Sequence, residues 1–434
     1  MPKKKVAVLG AGPMGLATGY FLAKKGFEVE IFEAGPVVGG MAASFDFDGL
    51  RIERYYHFHC LSDIGFLDLL EELGIQDKLV WRETKMGFYF KGQVHEWGNP
   101  IALLKFPHLG LIGKIRYGLM AFLSTKRSRD NWKDLDQIDA LTWIKKWVGV
   151  KTYEILWSGL FNLKFHHFTN SLSAAWIWSR IRRIGQSRTN LMKECLGHLE
   201  GGSQVLLDEL TKAIGENGGK IYLNTNVERV VMEEGRVIGL QTEEGITKSN
   251  VVISTIPTPY LPSIMKDLSA EITDKWASID NIAVVCLIVK LSKPLTNNFW
   301  LNVNDPDMDI PGIIEYSNLN HLPDTVVYVP YYMPGDHPKF KDNDDVFIAK
   351  VRRYLKIINP EISDDDFLSI KASRYRFAQP ICDPGFQRKL PPVDLPIDGL
   401  FAADTSYYYP EDRGISESID MAKSIANIVD KKHG

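Results

Sequence analysis

The sequence predicts an α/β fold in which a Rossmann-type domain is interleaved with an α+β domain that carries a helical lid. Three observations predict it. An apolar strand opens into a glycine turn and a helix near the N-terminus, a strand closing on a carboxylate is followed by a helix near the C-terminus, and long stretches intervene, among them an alternating apolar and basic run over 101–147. A chain of 434 residues also exceeds what one hydrophobic core organises, and its 45% apolar content allows two globular domains.

Composition narrows the function classes. Lys and Arg number 51 against 54 Asp and Glu, so no global field favours nucleic acid or a strongly acidic partner. Cys60, Cys195, Cys286 and Cys382 are widely separated, without the paired spacing of a zinc site or a disulfide framework, and they fit a reducing cytoplasm. The basic start Met1–Lys5 leads straight into Val6-Ala7-Val8-Leu9, a run too short for a signal sequence and read as the first strand. The most apolar stretch, 101–123, is interrupted by Lys105, His108, Lys114 and Arg116, so no spanning helix is expected. Fixed-period repeats and low-complexity tracts are absent.

The N-terminal unit carries the strongest motif. Val6–Leu9 opens into Gly10-Ala11-Gly12-Pro13-Met14-Gly15, followed by a helix over Leu16–Lys25. In this strand–turn–helix context Gly10 permits the turn, Gly12 lets backbone approach a pyrophosphate, and Gly15 allows the helix to pack closely on the strand. The diphosphate sits on the helix N-terminus, where unpaired amides and the dipole favour an anion. The strand Glu28–Phe32 ends at Glu33-Ala34, and Glu33, 18 residues after Gly15, is placed to bond a ribose hydroxyl. A second glycine turn, Gly39-Gly40-Met41-Ala42-Ala43-Ser44, selects FAD over NAD, because a simple NAD domain has no reason to carry a bare backbone for the far end of a longer cofactor.

Glu33, Gly39-Gly40 and Ser44 resemble the flavin amine oxidase clan, which includes protoporphyrinogen oxidase, phytoene desaturase and, more distantly, UDP-galactopyranose mutase. Val37 and Met41 stand where that clan often has an arginine on the phosphates. The resemblance continues through His198-Leu199-Glu200-Gly201-Gly202-Ser203 and the helix after it. It includes a strand meander read as Lys220–Leu223, Asn226–Val230, Val237–Thr242 and Val251–Ile256, ending in Ser254-Thr255-Ile256-Pro257. The resemblance implies that backbone at Val227 holds the adenine and that Thr255 lies beside the cofactor. It also implies that Asp404, closing the strand Gly399–Ala403, bonds the ribityl or pyrophosphate region. The helix start at Gly414-Ile415-Ser416 would point its amides at the flavin pyrimidine, where the dipole stabilises negative charge on the reduced ring. Ala403 and Ser418-Ile419 depart from the clan's usual glycine and Gly-Ala. No cysteine stands in the C-terminal flavin segment to form a thioether, so FAD is expected to bind non-covalently.

Candidates for the reacting end lie in three places. The run Arg54-Tyr55-Tyr56-His57-Phe58-His59-Cys60 resembles the loop that passes the isoalloxazine, and His57 is the candidate to move protons or orient substrate. Both histidines can equally be hydrogen-bonded strand residues, and His-x-His-Cys matches no usual metal-ligand spacing, so no metal is expected. Within Ser373–Ile381, Arg374 or Arg376 is the candidate to clamp an anionic substrate or approach flavin N1. Of Tyr407, Tyr408 and Tyr409, at most two can line the flavin pocket, and Tyr408 is the candidate.

From 101 to 147 apolar and basic residues alternate, as in Leu103-Leu104-Lys105-Phe106 and Leu111-Ile112-Gly113-Lys114-Ile115-Arg116. Such helices form a lid or lie on a membrane surface, and the two readings are compatible if a lipid-like substrate enters there. Trp176 and Trp178, with Arg180, Arg182 and Arg183, suit a substrate with an apolar body and an anionic head.

These readings assemble an FAD-binding domain from residues 1–80, 200–260 and 395–434, and a substrate domain with its helical lid from 81–199 and 261–394. The function they imply is an FAD-dependent oxidoreductase that transfers hydride between a carbon centre of an apolar or amphipathic substrate and flavin N5. A small-molecule or lipid-like substrate, no nucleic acid, and a cytoplasmic location peripheral to the inner membrane face go with it, the oligomeric state being open. Three alternatives stand beside it: a mutase-like flavoprotein acting on a nucleotide sugar without net redox change, an NAD-dependent dehydrogenase, and a flavin-binding protein without catalysis.

Overall fold

In the computed structural model residues 4–434 are described; Met1, Pro2 and Lys3 of the basic start lie outside them. A five-stranded parallel sheet runs in the order Lys220–Tyr222, Glu28–Phe32, Lys5–Leu9, Val251–Ser254, Leu400–Ala402. Its inner strands, Val6–Leu9 and Val251–Ile253, with Leu400–Ala402 beside them, read as unbroken apolar runs because both faces are covered. Alternation along Lys5–Leu9 shows this directly. Val6 and Val8 enter a core with Leu16, Leu207, Ile253 and Ile419, whereas Ala7 and Leu9 enter a different core with Val230, Leu240 and Val252.

Helices supply the first of these cores. Pro13–Lys24, which has proline at its first turn and extended Gly12 before it, packs with Ile64–Glu72, Gln204–Glu216 and Ile415–His433. The last helix carries Glu417 in its first turn and Lys431, Lys432 and His433 in its last, matching its dipole. It runs to His433, beyond the Val429 expected from its periodicity. The second core is closed by an antiparallel meander of Val227–Glu233, Arg236–Thr242 and Gly245–Lys248. That corrects the sequence reading, in which Lys220–Leu223 and Val251–Ile256 were meander strands; both pair in parallel with the N-terminal strands instead. Short apolar strands of the two kinds look alike in sequence.

The intervening residues build a seven-stranded mixed sheet ordered Phe367–Pro380, Asn281–Leu291, Thr325–Pro334, Gly312–Glu315, Trp300–Val303, Met86–Phe90, Gln93–Trp97. On the central strand Val285, Leu287 and Val289 face the helix Asp344–Ile358, while Ile282, Val284, Cys286 and Ile288 face the opposite way, into the shared core. Five of the six α-helices between Pro100 and Gln186 pack side chains into that core, among them Met120, Trp143, Tyr153, Phe161 and Trp176. Among the described residues, no helix is long and apolar enough to cross a membrane.

Candidate functional site

The carboxyl ends of four parallel strands, at Gly10, Glu33, Thr255 and Asp404, converge on one end of a cavity of about 1830 Å³. Ligands of open parallel sheets bind at this edge. The cavity extends to the helical block, where Leu103, Tyr117 and Phe122 line it.

Gly10 has φ +95°, and a Cβ on Gly15 would lie 1.9 Å from the Gly10 carbonyl oxygen, so both positions are closed to side chains. At Gly12 the reverse holds. Nothing lies within 4 Å of its Cβ position, and no side chain caps the helix that follows, which leaves open space against a helix N-terminus. Pro13, Met14 and Gly15 share that wall. Each oxygen of Glu33 accepts one backbone amide, from Ala11 at 2.8 Å and from Gly35 at 2.8 Å, which fixes the carboxylate at the edge of the cavity with acceptor capacity to spare. Ala34 lies beside it.

The second glycine turn rests on the first. Gly39, at φ +117°, donates its amide to the Ala11 carbonyl at 2.7 Å, and Gly40, Met41 and Ala42 line the cavity while Gly39 stands behind them. Val227 and Thr255 also line it, and Thr255 ties its hydroxyl to the Leu9 carbonyl at 2.8 Å.

At the C-terminal segment, Asp404 accepts amides from Thr258 at 2.7 Å and Ser406 at 2.9 Å, and the Ser406 hydroxyl as well. Burial pushes its pKa up despite these bonds. Gly414 and Ile415 open the last helix at the cavity wall; Ser416 is buried on its other side, next to Asp63 and Arg183. The three tyrosines diverge. Tyr408 lines the cavity with its hydroxyl 2.8 Å from Ser418 Oγ and 3.8 Å from Met14 Sδ, Tyr407 accepts from Trp276, and Tyr409 donates to Asp136.

His57 lines the cavity with its Nδ1 buried and without a hydrogen-bond partner among the described residues. Burial holds its pKa down, and Arg413 adds to this while Glu53 opposes it, so the imidazole is neutral near pH 7. His59 is a packed residue. Its ring stacks on Phe66 at 3.6 Å, and burial lowers its pKa to about 3. No cluster of three or more His, Cys, Asp or Glu side chains in metal-holding geometry occurs among the described residues.

Arg374 is part of the cavity wall, but the structure turns its guanidinium away from the cavity, and Arg376 does not line the cavity at all. Arg374 binds Asp344 and the carbonyls of Phe340 and Asp342, on the opposite side of the sheet, and Arg376 is exposed beside Gly335. Tyr375 and Phe377, at the alternate positions of the same strand, face the cavity instead. Trp178 and Arg182 also turn away from it, Arg182 toward Glu411. The cations at the cavity wall include Arg180, Arg413 and Lys164. Lys164 was not singled out by sequence, although it carried a signal: neither residue three or four positions away on its helix or beyond is acidic, and Phe161 and Phe168 occupy two of those places.

The family model described as flavin containing amine oxidoreductase matches residues 15–407. A 15-cis-phytoene desaturase of Synechococcus elongatus is 23% identical over 438 residues, spanning 92% of this chain and 90% of that protein. A zeta-carotene desaturase of Synechocystis sp. is 23% identical over 463 residues, spanning 92% and 91%. A protein from Exiguobacterium sp. 255-15, provisionally assigned as a protoporphyrinogen oxidase, shares the fold with a TM-score of 0.77 at 19% identity over 100% of both chains.

Proposed function

The chain belongs to the flavin-containing amine oxidoreductases and is an FAD-dependent oxidoreductase that holds its flavin non-covalently, and on that premise we propose that it moves hydride between a carbon centre of an apolar or amphipathic, lipid-like substrate and the flavin. The single observation that carries this reading is the continuity of one cavity, from the glycine turns to the aromatic and aliphatic wall of the helical block. When bound, FAD supplies the ring that accepts or donates hydride.

The chain's residues divide the remaining work. The open space at Gly12 and the uncapped helix behind it suit the diphosphate, Glu33 the adenosine ribose, backbone at Val227 the adenine, and the Gly414–Ile415 helix start the pyrimidine. His57 lines the cavity and, with its pKa held down by burial, is the group that holds or receives a proton at the reacting end. Leu103, Tyr117, Phe122 and Trp176 exclude water around an apolar substrate body.

Substrate entry from a lipid surface is supported by the outer face of the helix Leu111–Lys126. Leu111 is 66%, Ile112 74%, Ile115 58% and Leu119 48% exposed, at the spacing of one helical face, next to Phe122 of the cavity wall. Some basic residues of the segment are engaged by the protein itself, whereas Lys105 and Lys126 are exposed without a hydrogen bond or ion pair among the described residues. Lys114 binds the Leu104 carbonyl, Arg116 the carbonyls of Trp147 and Lys146, and Arg127 Asp134. The face itself presents an apolar contact. Anaerobic mixing of the FAD-loaded protein with lipid-soluble donors and acceptors in vesicles tests the reading. A change in flavin redox state supports it, and a flavin that reacts only with small hydrophilic amines refutes it.

A further inference from the structure

Lys164 is 5% exposed, lines the cavity, and makes no hydrogen bond or ion pair among the described residues. Its ammonium nitrogen lies 4.9 Å from the centre of the Tyr332 ring and 5.6 Å from that of Trp176. Two further cations share those rings: Arg180 is 4.9 Å from Trp176 and Arg413 is 5.9 Å from Tyr332. Three cationic side chains thus gather around two aromatic faces, and all three border the cavity. Against them stands one carboxylate, Asp412, which accepts from Arg180. The neighbouring Glu411 is taken by Arg129 and Arg182, and Asp63 by Arg183. Arg413 reaches only uncharged acceptors, the Ala378 carbonyl and Gln379.

An excess of positive charge in a largely desolvated place is costly unless an anion joins it. The cost is visible in Lys164, whose pKa burial drives well below the ordinary lysine range, with Arg180 and Arg413 adding to the effect. Ring faces alone compensate a buried cation only in part.

We propose that Lys164, Arg180 and Arg413 form a subsite for the oxyanion head, a carboxylate or phosphate, of a long apolar substrate whose body extends through the rest of the cavity. This rests on the hydride-transfer reading above and adds the chemistry of the substrate's polar end. The guanidinium forks provide paired donors to an oxyanion, and the Lys164 ammonium provides a point charge from a third direction. An amine head is disfavoured by the same charges.

The test uses FAD-loaded protein, so the flavin already occupies its own place. Hexadecanoate, hexadecyl phosphate, hexadecanol and hexadecylamine are titrated below their micelle concentrations, with binding read by calorimetry and by quenching of tryptophan fluorescence. The expected result is that at least one of the two anions binds about tenfold or more tightly than the alcohol or the amine; which anion wins identifies the head group. Lys164→Met should remove most of that preference and leave hexadecanol binding unchanged. The same substitution should raise the melting temperature of the ligand-free holoprotein, because it removes an unpartnered buried cation. Arg180→Gln serves as the second variant and should also reduce the preference. Equal binding of anion and alcohol by the wild type overturns the subsite, as does a preference that survives both substitutions. Flavin reduction is measured separately. Redox reaction with a neutral polyene and no anion preference would sink the subsite alone, whereas anion binding with a redox-inert flavin would sink the hydride-transfer reading alone.

Discussion

The amide of Gly39 donates to the carbonyl oxygen of Ala11 over 2.7 Å, and this bond seats the second glycine turn on the first. A Cβ on Gly40 would come within 3.4 Å of Gly12 Cα, so the two turns approach each other as bare backbone. An extended cofactor crossing Gly12 meets both turns.

Gly39→Ala should therefore disturb cofactor binding from behind the cavity wall. Its φ of +117° is unfavourable for alanine, and the new Cβ would lie 2.6 Å from Leu207 Cδ1 and 2.9 Å from Ala43 Cα. A loss of roughly 1–3 kcal/mol in stability is expected. Thermal melts with and without added FAD check it, and the flavin-dependent rise in melting temperature should shrink.

Gly12→Asp separates folding from binding. The position has no neighbour within 4 Å, so the apoprotein should melt close to the wild type. Flavin content should fall at least about tenfold, because the added carboxylate occupies the space in front of the helix N-terminus and repels a diphosphate. A folded variant with full flavin content would remove the diphosphate from this turn.

His57→Ala should retain FAD and slow the hydride step by about 10²-fold or more, the usual contribution of a positioned acid–base group. Single-turnover flavin reduction or reoxidation measures it. Unchanged kinetics would make His57 a residue of the wall only.

His59 supplies a pH dependence of stability. Its pKa is lowered from 6.5 to about 3, first by burial. The unfolded chain therefore binds the proton more readily than the folded one. The contribution of neutral His59 is fully present above pH 6.5 and is lost progressively as pH falls toward 3. At pH 4.5 the loss is of the order of 2 kcal/mol. His59→Phe keeps a ring against Phe66 and should flatten this part of the acid limb in denaturant titrations at several pH values.

Ile112→Glu combined with Ile115→Glu should weaken binding to uncharged phosphatidylcholine vesicles about tenfold or more, with FAD content unchanged, since both side chains are over half exposed on the apolar face. Sedimentation with vesicles reads this directly. Wild-type binding that needs anionic lipid, or no binding at all, would contradict an apolar contact.

Positions where backbone geometry dictates residue type were legible in the sequence. Gly10, Gly15 and the acid at Glu33 announce the strand–turn–helix unit, and the second glycine pair marks the turn that rests on it. Arg374 and Arg376 show where legibility ends. Alternation puts both on one face of their strand, opposite Tyr375 and Phe377, but the pairing with Asn281–Leu291 decides which face meets the cavity. Lys164 was hidden for a related reason. Its neighbours at the cavity come from three distant pieces of chain, around Trp176, Tyr332 and Arg413, and no local pattern announces their meeting. The meander was misassigned at both ends because parallel pairing is a long-range choice between strands of similar composition.

The most direct measurement is the visible flavin spectrum of the purified, FAD-loaded protein, recorded anaerobically in its oxidised and reduced forms with candidate partners. The account predicts that a lipid-soluble polyene or long-chain acid presented in vesicles bleaches the oxidised band or restores it from the reduced form, and that putrescine and other small hydrophilic amines do neither. Rapid bleaching by a hydrophilic amine, with no response to any lipid-like compound, would contradict it.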